Sequence, residues 1–284
     1  MAMRKSITLR AFPNEMNTWS RIDLARAAGY HGVEINLEPS GEFSLESSES
    51  DLRDLRGYIE NLGMRVSSVY NRQQWLYPIT SQNPNTRQYG QTILEGLVRA
   101  GSILGTDAVL VVPGAVDNSL FSPEPEIVPY DIAYRNAQSI LRDVTQRLGA
   151  RYQVYLTIEN TWNKFLLSPL ELARFVDEIE SEWVGVYLDV GNLLRTGFPE
   201  HWITILGSRI KRVHFKDFRT AVDNIHGFVN LLEGDVNWAA VCLALKSIQY
   251  DSWVTAEVLP AYHYHGQRLV YDTSASLDAI LFGL

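Results

Sequence analysis

Four residues that can bind a divalent metal ion follow one another near the ends of predicted β-strands in the second half of the chain. Glu159 and Asp189 close two of these strands, His214 lies near the end of a third, and a fourth reaches Glu257. Three carboxylates and an imidazole form a hard, mostly oxygen-donating ligand set, which suits Mn²⁺, Mg²⁺ or Co²⁺. Brought together without a cation, the carboxylates would repel one another and one would keep its proton. The pattern therefore predicts one divalent metal site.

The elements that must position these residues alternate regularly along the 284-residue chain. Short β-rich runs are predicted at residues 6–12, 32–36, 65–70, 108–112, 154–159, 184–189, 210–215 and 253–258. Each precedes a helical pattern, at residues 19–28, 52–62, 86–104, 132–148, 169–179, 200–206, 238–248 and 274–281. Eight such pairs without a linker-like break predict an α/β fold, a (β/α)₈ TIM barrel forming a single domain over residues 1–284. The carboxyl ends of barrel strands converge on one mouth, which would bring the four residues together.

A doubly wound open sheet is the competing architecture. It usually has fewer strands and carries its glycine-rich loop early in the chain, and neither a G-x-G-x-x-G pattern nor a P-loop is present. The sequence thus favours the barrel and gives no support to a nucleotide cofactor.

Composition excludes several classes of partner. The 25 Lys and Arg residues against 33 Asp and Glu give a net charge of −8, which argues against binding along nucleic acid. The single cysteine excludes an intrachain disulfide and a multi-cysteine metal site. No uninterrupted apolar run approaches the ~20 residues needed to cross a bilayer. We expect a soluble, cytoplasmic protein with no membrane or nucleic-acid partner.

Five stretches of the chain resemble the sugar-phosphate isomerase/epimerase family with the xylose isomerase-like TIM barrel. They are IENTWNKFLLSP (158–169), GVYLDVGNLL (185–194), VHFKDF (213–218), LEGDVNW (232–238) and TAEVLP (255–260). Hexulose-6-phosphate isomerases, ribulose-5-phosphate 3-epimerases and ketose 3-epimerases are the members most similar to the chain. The resemblance implies one divalent ion, with Mn²⁺ preferred and Mg²⁺, Co²⁺ or Zn²⁺ as alternatives, held by the same four residues. It also implies a small sugar or sugar-phosphate substrate and allows a homodimer or homotetramer.

The family resemblance further implies that Glu159 and Glu257 transfer the protons. A proton next to a ketone is too weakly acidic for an unassisted carboxylate, and a divalent ion would stabilise the cis-enediolate that forms. Removal of a proton from one face of C3 and its return to the other would epimerise a ketose. Transfer between C1 and C2 would instead interconvert an aldose and a ketose.

Two basic residues that follow the seventh predicted strand are candidates for binding a substrate phosphate. Lys216 and Arg219 lie where barrel enzymes often bind phosphate. The alternative is that each forms a surface pair, Lys216 with Asp217 and Arg219 with Asp223.

Three further residues are candidates for binding substrate. Asn160 follows the fifth strand, and Glu34 ends the second, where a salt bridge is its alternative role. Ketose 3-epimerases carry a histidine shortly after the aspartate of the sixth strand, whereas this chain has Asn192. An asparagine can hydrogen-bond a substrate oxygen but carries no charge. Because the sugar-phosphate branches of the family also use an asparagine-type motif, the resemblance favours phosphorylated substrates.

Three other functions compete with an isomerase or epimerase. A sugar or keto-inositol dehydratase would use the same metal site but lose water from its substrate. A phosphodiesterase of the endonuclease IV type would need several metals, many histidines and a basic surface, whereas the chain has six scattered histidines. A sugar-binding barrel without activity is the non-enzymatic alternative.

Overall fold

Eight parallel β-strands close into a barrel in the computed structural model, which describes residues 3–39, 41–258 and 262–283. The strands are β1 (Arg4–Thr8), β2 (Gly32–Asn36), β3 (Arg65–Tyr70), β4 (Ala108–Val111), β5 (Tyr155–Glu159), β6 (Val184–Asp189), β7 (Ile210–Phe215) and β8 (Trp253–Ala256). Neighbours in sequence are neighbours in the sheet, and β8 closes it by pairing with β1, where Ala256 lies opposite Ile7. The predicted barrel is confirmed.

The helices between the strands cover the outside of the barrel. They are α1 (Thr18–Ala27), α2 (Glu49–Asn61), α3 (Pro84–Leu104), α4 (Tyr130–Val144), α5 (Pro169–Glu178), α6 (Pro199–Leu206), α7 (Trp238–Ser247) and α8 (Gly266–Phe282). Local sequence explains several of their ends. Ser48 and Asp51 form a reciprocal capping box at α2, and Ser168 caps α5 in front of Pro169.

Among the described helices, none has both the length and the apolar character that crossing a bilayer requires.

Three predicted boundaries are corrected by the structure. The first strand ends at Thr8 rather than at residue 12, because the Thr8 side chain caps a short 3₁₀ turn. The last strand likewise ends at Ala256, and the last helix begins at Gly266 instead of at residue 274. These changes place Glu257 just beyond its strand, at the barrel mouth.

The helical stretch after β4 also passes through Gly149, where the sequence predicted its end. A π-helical segment, Thr145–Gly149, and a final turn carry it on to Tyr152. A Cβ atom at Gly149 would overlap the Trp183 side chain. Glycine is needed here for close packing rather than for helix termination.

A two-stranded hairpin follows β7 and shapes one side of the mouth. Asp217–Phe218 pairs antiparallel with Phe228–Val229. The fully buried Asp217 carboxylate accepts hydrogen bonds from the backbone N–H groups of Leu232 and Val236, which lie beyond the hairpin. This carboxylate thus anchors the loop between β7 and α7.

Candidate metal centre and active site

The four predicted metal ligands converge at the carboxyl ends of β5 to β8. One nitrogen or oxygen atom from each of Glu159, Asp189, His214 and Glu257 lies within 4.8 Å of the others. All four residues are buried. We call this set the quartet.

His214 lies at the centre of the quartet. Its Nδ1 atom is 3.1 Å from Glu159 Oε1, 3.6 Å from Glu257 Oε2 and 3.9 Å from Asp189 Oδ2. The opposite ring nitrogen, Nε2, is 3.1 Å from Glu34 Oε2. The imidazole therefore has one nitrogen directed at the quartet carboxylates and the other at a carboxylate outside it.

Two basic side chains, Lys216 and Arg10, contact different oxygens of the Glu257 carboxylate. Lys216 Nζ is 2.9 Å from Oε2 and also 3.6 Å from Asp189 Oδ2, whereas Arg10 Nη1 is 3.2 Å from Oε1. The predicted surface pair of Lys216 with Asp217 is wrong. Asp217 bonds to loop N–H groups, while the Lys216 side chain extends into the quartet.

Burial and nearby charges shift the pKa values of the quartet carboxylates in opposite directions. Burial raises the pKa of Glu159, and it raises the pKa of Asp189 to about 7 despite the nearby Lys216 ammonium. Burial also opposes ionisation of Glu257, but the positive charges of Lys216 and His214 outweigh it and hold its pKa below the ordinary value. The carboxylates thus differ in their tendency to hold a proton.

The quartet has the chemistry that a divalent cation requires. Within the described part of the chain, Asp189 Oδ2 is buried without a hydrogen-bond partner. Such an atom is costly to bury unless something pairs with it, and a cation between the quartet atoms would do so. The donor set of three carboxylates and one imidazole fits a hard or borderline divalent ion. Because ligands bind in their deprotonated forms, metal binding here would release protons.

A cavity of about 630 Å³ opens at the quartet, and Glu159, His214 and Glu257 border it. A second cavity of about 580 Å³ adjoins it, and Trp162 and Asn192 line both. The remaining walls of the first cavity are largely aromatic and aliphatic and include Tyr70, Trp75, Leu110, Phe121, Ile225 and Phe228. A polar reaction centre beneath such walls is typical of small-molecule sites.

Two asparagines predicted to bind substrate hold the ends of β5 and β6 together. The Asn160 amide group donates to the Asp189 carbonyl and accepts from the Asp189 N–H, at 2.8 and 2.9 Å. Asn192 donates its side-chain amide to the Asn160 carbonyl, and its N–H binds Asp189 Oδ1 at 2.8 Å. These bonds fix the position of the aspartate. Asn192 lines both cavities and Asn160 lines the second, so their predicted contact with substrate stays a prediction.

The structure does not bring Arg219 to either cavity. Its Nε donates to the Glu233 carbonyl on the exposed side of the hairpin. The predicted pair of Arg219 with Asp223 is also wrong, since Asp223 pairs with Arg195. Arg219 therefore has no contact in this structure that supports phosphate binding.

Sequence reasoning missed Arg10, which lines the first cavity and pairs with Glu257. The predicted first strand extended past this residue, and the true strand end at Thr8 moves Arg10 into the mouth. An arginine immediately beyond a barrel strand was the available signal.

This chain belongs to the xylose isomerase-like TIM barrel family, which matches residues 22–276. A relative from Haemophilus influenzae, named putative L-ribulose-5-phosphate 3-epimerase SgbU, is 22% identical over 254 residues, or 85% of this chain and 83% of the relative. The structure of D-psicose 3-epimerase from Clostridium cellulolyticum H10 with D-tagatose superposes with a TM-score of 0.78 at 15% identity, covering 97% of each chain. The structure of the IOLI protein, which has a bound zinc atom, gives 0.79 at 14% identity and covers 98% of both chains. The predicted family is confirmed.

Proposed function

We propose that this protein is a divalent-metal-dependent epimerase or isomerase of ketoses or ketose phosphates. The observation that carries the proposal is the convergence of four buried donor atoms within 4.8 Å at the floor of a cavity. The names of two similar proteins, "putative L-ribulose-5-phosphate 3-epimerase SgbU" and "D-psicose 3-epimerase", support the substrate class.

Glu159, Asp189, His214 and Glu257 would hold the metal ion, for which Mn²⁺ is our first choice. When bound, such an ion supplies the positive charge that makes a proton next to a ketone removable. The chain's own groups would move that proton. Glu159 ends β5 and Glu257 follows β8, three strands further around the barrel, so their carboxylates approach the mouth from different sides. One carboxylate would take the proton from one face of the substrate carbon, and the other would return a proton to the opposite face.

Lys216 is proposed to contact the substrate beside the reacting carbons. The sequence left a phosphate contact and a surface pair with Asp217 open for Lys216, but the ammonium group lies 2.9 Å from Glu257 and 3.6 Å from Asp189, within the quartet. A cation at this position would stabilise negative charge that develops on a substrate oxygen.

We expect Lys216→Met to lower kcat/KM about 100-fold for phosphorylated and unphosphorylated ketoses alike, because the lost charge acts at the reaction centre. Steady-state kinetics on matched substrate pairs measures this. Arg219→Met removes a nearby cation outside the cavity and should leave both values unchanged. A decrease in kcat/KM for the phosphorylated ketoses alone would instead indicate that Lys216 binds the substrate phosphate.

Hydrogen exchange tests the proposed reaction directly. The Mn²⁺- or Co²⁺-treated protein is incubated in D₂O with ketoses and their 5- and 6-phosphates, and each carbon-bound hydrogen is followed by NMR. We expect loss of the C3 hydrogen signal with a new diastereomer, or exchange at C1 with appearance of an aldose, and EDTA should abolish either change. Products that have lost water would instead identify a dehydratase. If protein with bound metal causes no hydrogen exchange and forms no product with any substrate of the panel, the result would contradict the proposed reaction.

A further inference from the structure

Glu34 is a buried carboxylate outside the quartet that contacts one of its members. It is the middle residue of β2 and is 2% exposed. Its Oε2 atom lies 2.6 Å from Ser68 Oγ, 2.8 Å from the Tyr187 hydroxyl and 3.1 Å from His214 Nε2. Three donor groups from β3, β6 and β7 thus meet on one oxygen.

This contact determines which nitrogen of His214 can bind a metal. An ionised carboxylate only accepts hydrogen bonds, so when His214 gives up one ring proton to bind a metal, the proton that it keeps belongs on Nε2, where Glu34 accepts it. The Nδ1 lone pair then faces the quartet oxygens, the nearest of which is Glu159 Oε1 at 3.1 Å. The Tyr187 ring packs against the imidazole at a centroid distance of 4.3 Å and restricts its rotation.

We propose that Glu34 is a positioning residue that fixes the ring orientation and the Nε2–H tautomer of His214 for metal binding. The inference rests on the proposed metal site. Glu34 borders the first cavity, but its Oε2 is already bound by the three donors. Its predicted contact with substrate hydroxyls stays a prediction beside this contact with a metal ligand. Outer carboxylates of this kind orient the histidine and raise its basicity.

Two substitutions separate the charge of Glu34 from its ability to accept a hydrogen bond. Glu34→Gln keeps an oxygen acceptor and removes the charge, whereas Glu34→Met has similar length and no comparable acceptor. We expect the dissociation constant for Zn²⁺ to rise about 10-fold in Glu34→Gln and about 100-fold in Glu34→Met. Isothermal titration calorimetry measures both constants on the full chain.

Long-range ¹H–¹⁵N NMR of the Zn²⁺-loaded protein supplies a readout that general destabilisation would not move. The wild type should show a slowly exchanging Nε2–H on one histidine, and His214→Asn identifies the signal by its loss. Glu34→Gln should retain this proton, and Glu34→Met should lose its slow exchange.

Ser68→Ala is the matched control, because it removes one donor to Glu34 and leaves the contact with His214 in place. Its Zn²⁺ affinity should change less than that of Glu34→Met, and melting curves of the metal-free variants check that each is folded. Wild-type affinity in both Glu34 variants, with the Nε2–H retained, would overturn the role of Glu34. If Glu34→Met does not fold, unchanged affinity in Glu34→Gln alone overturns it. A wild type that binds no Zn²⁺ would overturn the metal site itself.

Discussion

Glu159→Gln and Glu257→Gln should each lower kcat by about 10²- to 10⁴-fold while part of the metal affinity remains. A glutamine keeps a neutral oxygen that can still act as a weaker ligand, but it cannot accept and return a proton. Both carboxylates are buried in the quartet and border the first cavity, so each is placed to reach a bound substrate. Steady-state kinetics at saturating metal, paired with calorimetric metal titration, separates lost proton transfer from lost binding.

The control for these variants is a glutamate of the same chemistry outside the site. Glu180 is exposed at the end of α5 and lines neither cavity, so Glu180→Gln should retain wild-type kinetics. The two active-site variants should also differ in hydrogen exchange, since one face of the substrate loses its partner in each. Near-normal turnover in either variant would contradict the two-carboxylate mechanism.

Asp217→Ala should destabilise the fold by about 3 to 5 kcal/mol, because it leaves several buried donors without a partner. Oδ1 accepts from the N–H groups of Phe218 and Val236 at 2.9 and 3.2 Å. Oδ2 accepts from the Leu232 N–H and the Trp238 indole at 3.0 and 3.2 Å. Each unsatisfied buried donor costs about 1 to 3 kcal/mol, and these costs are not fully additive.

Asparagine should not restore this stability, because only one of its two terminal atoms accepts hydrogen bonds. Urea unfolding of wild type, Asp217→Ala and Asp217→Asn measures the difference in the free energy of unfolding. Asp223→Ala is the comparison, since Asp223 is an exposed aspartate paired with Arg195, and it should change that free energy by at most about 1 kcal/mol. An Asp217→Ala variant as stable as this control would show that the carboxylate does not anchor the loop.

The barrel and the quartet were predictable from sequence for a shared physical reason. Short β-rich runs that alternate with helical patterns mark the barrel strands, and the observed bounds of Gly32–Asn36, Arg65–Tyr70, Val184–Asp189 and Ile210–Phe215 agree with the prediction. A polar residue at the carboxyl end of such a run lies at the barrel mouth, because the strand ends meet there. The convergence of the quartet follows from this geometry, while its metal and its catalytic roles stay predictions.

Contacts among strands distant in sequence were not predictable in the same way. The contact of Glu34 with His214 depends on Ser68 of β3 and Tyr187 of β6, which donate hydrogen bonds to the same carboxylate. The spacing of residues along β2 alone does not predict these contacts. Asp217 resembles a surface aspartate in sequence, because most of its hydrogen-bond donors come from the following loop and from the start of α7, up to 21 positions away. Arg10 was missed because the first strand was predicted to end a few residues too late, which placed Arg10 within the strand.

The quartet occupies one half of the barrel, β5 to β8, whereas Arg10, Tyr70, Trp75 and Phe121 bring much of the cavity wall from the other half. Under the proposed function, the second half of the chain carries the proton-transfer groups and part of the cavity wall, and the first half contributes the rest of the wall. Mutations in the loops after β3 and β4 can change which sugar fits without disturbing the proton-transfer groups, whereas Arg10 in the loop after β1 pairs with Glu257. Such a division would let substrate preference change around one set of proton-transfer groups, with Arg10 and Glu34 as two residues of the first half that contact the quartet.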